Sequence, residues 1–328
     1  AGDIVAFSGI EEINIGETIA DPQNPEALPV TKIEEPTVKI TLGINTSPLS
    51  GKEGQYTTTR QIKERLDFEL QNDVALKVEA GQTAEAYVVS GRGELHLAIL
   101  IEKMRREGYE MQVSRPQVIF KEVDGKKSEP FEAVSIEAPE QFAGVVIEQM
   151  GKRKGEMKDM KVERGAVYME FEAPTRGLIG YRSEFLTDTK GQGILNSLFL
   201  EYRPVVGDIN AGVHGSLVAS QPGVTNTYGL YYVQERGQLF LAPGVEVYVG
   251  MIVGQNAKPE DIEVNVCREK ELSNMRSKGD GEGKRLDTAH EMSLEKALEY
   301  IGEDELVEVT PKSIRMRKLY LTAAERKR

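Results

Sequence analysis

Cysteine occurs once in the 328 residues, at Cys267, so no disulfide can form within the chain and a reducing, cytoplasmic setting is expected. No apolar run approaches the ~20 residues of a membrane span, and the N-terminus carries nothing like a signal peptide. Membrane binding is therefore not expected. Histidine is almost as scarce. His96, His214 and His290 lie far apart, and His290-Glu291 lacks the second histidine of a zinc-protease helix. His96, set in an apolar helical pattern, reads as a packing or capping residue rather than a base. Cys267, in an alternating run, reads as a buried apolar residue rather than a nucleophile. No P-loop is present, because Gly51-Lys52, Gly125-Lys126, Gly151-Lys152 and Gly283-Lys284 all lack the following hydroxyl residue. Gly91-x-Gly93 and Gly191-x-Gly193 are too short for a dinucleotide fingerprint. The chain offers no catalytic constellation, and no metal or cofactor is expected in it.

What is present fits a globular protein of several domains, with 39% hydrophobic and 29% charged residues. The net charge of −12 argues against coating nucleic acid through bulk charge, but allows local basic patches. Residues 3–8 and 13–19 read as two short strands with too few partners, as if the chain begins inside a β-domain. Pro22, Pro25, Pro29 and Pro36 then mark an extended linker, giving a first segment of 1–35.

From Thr37 the periodicity switches regularly between two and about four. Val38, Ile40, Leu42 and Ile44 alternate as in a strand, and Thr58-x-x-Gln61 opens a helix bearing Ile62, Leu66, Leu70 and Val74. Strands at 75–79 and 84–90 follow, joined at Gly81. A second helix begins near Gly91–Glu94, with Leu97, Leu100, Ile101 and Met104 on one face and Leu95 and Ile99 on another. Residues 109–123 supply a closing strand. The order is that of a ferredoxin-like, split βαβ unit over 36–122. It recurs over 123–203: Phe131, Val134 and Ile136 in a strand, Pro139 opening a helix with Phe142, Val145, Val146 and Met150, a hairpin around Gly165, a second helix within 173–195, and a last strand at 194–202. In that second helix Leu178, Ile179, Tyr181, Phe185 and Leu186 form an apolar face, with Arg176 and Arg182 on its rim. After Pro204 many glycines punctuate short apolar runs at 213–219, 228–233, 245–252 and 262–266, which reads as a mostly β unit over 204–328 with one helix after Ser293. The stretch 269–291 is a long loop nearly free of large apolar residues.

Positive charge gathers in three places. Lys152, Arg153 and Lys154 end one helix, with Lys158 and Lys161 beyond; the long loop carries Lys270, Arg276, Lys278, Lys284 and Arg285; and the chain closes on Arg326–Arg328. Cations near a helix C-terminus also suit the helix dipole. On an acidic protein, three such segments suggest focused phosphate contacts.

Two motifs add a resemblance. Ser90-Gly91-Arg92-Gly93-Glu94-Leu95-His96-Leu97 resembles the signature of domain III in translational GTPases of the elongation factor G group, and Pro174–Gly193 resembles their domain V. The form PTRGLIGYRSEF, with these units adjacent and a distinct C-terminal unit after them, resembles the BipA/TypA family. The resemblance implies an α+β fold: two ferredoxin-like domains similar to elongation factor G domains III and V, a β-rich family-specific C-terminal domain, and the remnant of a β-barrel, domain II, in 1–35. It implies a parent protein whose GTPase domain uses GTP and Mg, and a role in ribosome assembly, stress adaptation or virulence regulation. Implied partners are the bacterial ribosome, its rRNA and A-site tRNA, the protein being monomeric off the ribosome. Matching positions are Lys152, Arg153, Lys154, Lys158, Arg176, Arg182 and Lys190 for rRNA, and Lys270, Asn274, Arg276, Lys278, Lys284 and Arg285 for tRNA or peptidyl-transferase-centre RNA. The insert Gly279-Asp280-Gly281-Glu282-Gly283 has no counterpart in the family pattern, and Arg176 and Arg182 are equally suited to internal salt bridges. A small-ligand regulatory module of an enzyme and a rigid spacer are the alternative readings.

Overall fold

The computed structural model describes residues 2–10, 13, 16–29, 35–209, 215–269 and 285–327. In the first unit β1 (Val38–Gly43) leads to α1 (Thr59–Asn72), which starts where the Thr58 hydroxyl and Gln61 side chain cap each other's backbone N–H. Then come β2 (Lys77–Ala80), β3 (Ala86–Gly91), α2 (Glu94–Arg106) and β4 (Met111–Ser114), with a short β5 (Gln117–Val118) that returns to β1. The strand order β4-β1-β3-β2 is that of the split βαβ unit. The expected closing strand at 109–123 is broken instead, because Pro116 supplies no N–H and restricts the residue before it.

The second unit repeats the plan. It contains β6 (Lys121–Val123), β7 (Lys126–Pro139), a 3-10 turn at Glu140–Phe142, α3 (Ala143–Lys152), β8 (Glu156–Glu163) and β9 (Ala166–Pro174). It then has α4 (Thr175–Leu178), α5 (Tyr181–Asp188) and β10 (Ile194–Pro204), and its sheet runs β10-β7-β9-β8. The single helix expected within 173–195 is therefore two. Gly180, at φ 78°, breaks it in a backbone conformation that side-chain-bearing residues rarely adopt. Tyr181 and Phe185 are buried, Leu178 packs partly on the core, and Leu186 faces solvent.

The C-terminal unit holds β11 (Ser216–Ala219), β12 (Gly223–Val224), α6 (Thr227–Gln234), β13 (Gly237–Leu239), β14 (Glu246–Val247), β15 (Met251–Asn256) and β16 (Ile262–Val264). It ends with α7 (Leu294–Tyr300), β17 (Glu305–Val309), β18 (Ile314–Lys318) and α8 (Ala323–Arg326). Two expectations fail here. Residues 228–233 are helical, since Asn226 Oδ1 accepts the Gly229 N–H at 2.8 Å and so caps α6. Cys267 lies in a turn after β16, half-buried, with its thiol pushed up by burial.

This unit does not stand apart. β17 pairs antiparallel with β4, Val307 opposite Val113, so both units share one 11-stranded sheet whose main path runs β16-β11-β15-β18-β17-β4-β1-β3-β2, with β13 paired to β15 and β5 to β1. One core runs through the seam, where Leu298 of α7 and Ile301 just beyond it join Leu97, Leu100 and Ile101 of α2. At the other end, the two strands expected at 3–8 and 13–19 do not form among the described residues, whose Ile4, Val5 and Phe7 are exposed. The barrel remnant is accordingly not seen.

Candidate nucleic-acid interface

The basic residues singled out in the second unit separate into those committed internally and those turned outward. Arg176 is committed. Its Nε donates to Glu129 Oε2 at 2.8 Å and its Nη2 to Glu129 Oε1 at 3.1 Å and to the Val206 carbonyl at 2.9 Å. Glu129 is fully buried and also accepts the Val206 N–H at 2.9 Å, so the pair ties α4 to β7 and to the chain leaving β10. Arg153 is buried as well. Its guanidinium pairs with Glu184 and lies 4.8 Å from the Tyr181 ring centroid, fastening the end of α3 to the start of α5. That junction is tight, and a Cβ on Gly177 would sit 2.5 Å from the Arg153 carbonyl oxygen.

Lys152, Lys154, Lys158, Arg182 and Lys190 face solvent. Lys152 pairs one turn back with Glu148 at 2.7 Å, and Lys158 is shared between Glu156 at 3.0 Å and Glu172 at 3.1 Å, which raises its pKa. Arg182 donates to the Leu195 carbonyl at 3.3 Å. Lys154 and Lys190 hold left-handed turn positions after α3 and α5, at φ 62° and 52°, and make no ion pair among the described residues. They do not share a site. Because Arg153 meets the first turn of α5, the two helices run antiparallel, and Lys190 lies at the far end of α5, about 12 Å of helix away.

Of the residues singled out in the long loop, Lys270, Asn274, Arg276, Lys278 and Lys284 fall outside the described residues, whereas Arg285 is described and exposed. The roots of the loop converge on α6. A Cβ on Gly229, in its first turn, would meet the Val266 carbonyl at 2.4 Å; at its end Gln234 Nε2 donates to the Arg285 carbonyl at 3.1 Å, while Gln234 Oε1 accepts the Asp287 N–H at 3.1 Å. Leu230 and Val233 point inward, so Tyr228, Tyr231, Tyr232 and Glu235 occupy the outer side of α6. Tyr232 stacks edge-on with Tyr228 at 4.9 Å and Tyr231 at 5.5 Å. An aromatic outer helix face at the root of the loop is chemically suited to stacking on unpaired bases. Its signal in the sequence is the three-and-four spacing of those tyrosines, which the apolar character of the run hides behind the pattern of a strand.

The two sequence motifs meet each other. Gly180 N–H, in the break between α4 and α5, donates to Glu94 Oε2 of the Ser90–Leu97 motif at 3.2 Å. Within that motif His96 acts as a cap: Nδ1 accepts the Arg92 N–H at 3.2 Å, and Nε2, which then carries the proton, lies 2.5 Å from Asp73 Oδ2. Among the described residues no three His, Cys, Asp or Glu side chains are placed to hold a metal ion, and no helix is long and apolar enough to cross a membrane.

Comparison with known proteins accounts for all three units. Residues 53–115 match elongation factor G domain III, 126–212 match the elongation factor G C-terminus, and 214–323 match the TypA/BipA C-terminal domain. Proteins described as large ribosomal subunit assembly factor BipA are similar throughout: 51% identical in Synechocystis over 97% of this chain, 50% in Bacillus subtilis and 49% in Escherichia coli K12 over 100% of it. The chain spans about half the length of these relatives, 54% of each. With family-specific residues at 214–323 and this identity along the whole sequence, the chain belongs to the TypA/BipA family.

Proposed function

We propose that this chain is the ribosome-binding region of a translational GTPase that acts in assembly of the large ribosomal subunit. In this reading the chain does no chemistry of its own, and GTP and Mg belong to a GTPase domain of the parent protein, to which no residue here is assigned. The chain works in the cytoplasm as a monomer when off the ribosome. The observation that carries the proposal is the identity near 50% to proteins named as large-subunit assembly factors, over essentially the whole chain. Lys152, Lys154, Lys158 and Arg182 contact rRNA phosphates as one group and Lys190 as another, while Arg153 and Arg176 hold the scaffold. Lys270, Asn274, Arg276, Lys278, Lys284 and Arg285, with the tyrosine face of α6, contact unpaired or tRNA nucleotides.

The test is co-sedimentation with large subunits across a salt series. Charge reversal of Lys152, Lys154 and Lys190 together should weaken pelleting and flatten the salt slope by about 0.7–0.9 for each phosphate no longer neutralised. Pelleting with the wild-type affinity and slope would remove these residues from the interface. Reversal of Lys278 and Arg285 tests the loop in the same way. Roles in stress adaptation and virulence regulation would follow from altered subunit assembly, and are tested by the growth of cells carrying these variants.

A further inference from the structure

All three units meet around one cavity of about 590 Å³, lined by Arg115 from the first, Arg153 and Glu184 from the second, and His290, Glu299 and Tyr300 from the third. At its edge the break between α4 and α5 is gripped from two sides. Glu94, at the start of α2, accepts the Gly180 N–H at 3.2 Å; Glu299, on α7, accepts the Ser183 hydroxyl at 2.9 Å. Both acids close on the same residue, since a Cβ on Gly180 would sit 3.4 Å from Glu299 Cβ and Cγ. Glu94 Oε1 is buried and has no hydrogen-bond partner among the described residues.

Two half-buried carboxylates, one on the Gly180 N–H and the other on the Ser183 hydroxyl beside it, repel each other when both are ionised. We propose that Glu94 and Glu299 form a proton-operated clasp: with a proton on the pair the second unit stays docked on the other two, and with both acids ionised it is released. The proton removes the repulsion and supplies a donor where Glu94 Oε1 has none. Burial is the larger cause and the Glu94 charge the next in pushing the Glu299 carboxyl up to about 7, while burial also raises Glu94. Other charges face the pair. Arg115 lowers Glu94; on α7, Glu295 raises both acids and Lys296 lowers Glu299. Arg153 and Glu184 neutralise each other across α3 and α5, and His290 and the Lys318–Glu305 pair line the same cavity. A carboxyl raised in the docked state contributes fully below its ordinary value of 4.5, and that contribution is lost as pH rises through about 7. Docking therefore weakens on going from mildly acidic to mildly basic solution.

The test is a distance measurement by spin-label spectroscopy on the full chain, with Cys267→Ser as background and labels at Asn196→Cys on β10 and Gln71→Cys on α1. A single narrow distribution is expected at pH 5.5. At pH 8.5 a second, longer component should appear, with the docked-to-released ratio about tenfold lower. Glu299→Gln, which cannot ionise, should stay docked at both pH values. Glu94→Gln removes the same repulsion from the other side and should keep a larger docked fraction than the wild type at pH 8.5, while His290→Gln should titrate like the wild type. The proposal is overturned by a wild-type distribution that does not change with pH. It is overturned equally by a Glu299→Gln protein that titrates as the wild type does, or that is released at both pH values.

Discussion

Arg176 and Lys154 are both cations near the end of a helix in the second unit, yet their surroundings give them opposite roles. Arg176 neutralises the fully buried Glu129 in a two-point grip, whereas Lys154 projects from a left-handed turn with no ion pair among the described residues. Removing the arginine strands a buried carboxylate that keeps, among the described residues, only the Val206 N–H. Arg176→Ala should therefore cost about 2–4 kcal/mol of stability, and Arg176→Lys should recover only part of it because an ammonium cannot make the forked pair. The measurement is the urea midpoint followed by circular dichroism, and a loss below about 0.5 kcal/mol would show that the pair contributes nothing net. Lys154→Glu, by contrast, should leave the midpoint within about 0.5 kcal/mol.

At the scale of elements, what was legible in the sequence was what is local. Alternation in Val38–Ile44, four-residue spacing in Ile62–Leu70 and the Thr58–Gln61 box are short-range signals, and they located β1, α1 and the repeated βαββαβ order. Partners distant in sequence were illegible. Nothing near Arg176 or Arg153 announces Glu129 or Glu184, and nothing in Met111–Ser114 announces β17, nearly two hundred residues later. The run Tyr228–Val233 shows the limit from the other side. Its tyrosines suit a strand, but the Asn226 cap and the close approach of Gly229 to the Val266 carbonyl make it a helix. Asn226→Ala should cost about 1 kcal/mol while Asn226→Ser keeps most of it, read as a shift in melting temperature. Equal melting temperatures for the two variants would mean that packing alone holds α6.

At the scale of the whole molecule, the repeat of one fold plan in 36–122 and 123–203 suggests two equivalent, independent domains, and the sheets say otherwise. Among the described residues, the core of the second unit is drawn from its own residues, Val134 to Leu195, and its sheet pairs with no strand of another unit. The first unit has neither property. Its β4 edge is completed by β17, α2 is covered by α7, and Leu49 is buried in the core of the C-terminal unit. Cut free, it would present an unpaired strand edge and the apolar side of α2 to water, at a size where each uncovered side chain matters. A 119–209 fragment should accordingly fold alone, with a dispersed amide spectrum and a cooperative melt, although it loses the hydrogen bonds of Gly180 and Ser183 to Glu94 and Glu299, the Lys121–Glu35 pair and the Ile119 N–H bond to the Thr37 carbonyl. A 36–118 fragment should give a collapsed spectrum or associate, and should recover dispersion when the 215–327 segment is supplied in trans. Independent, cooperative folding of 36–118 would mean that the β4–β17 seam joins two finished domains instead of completing one.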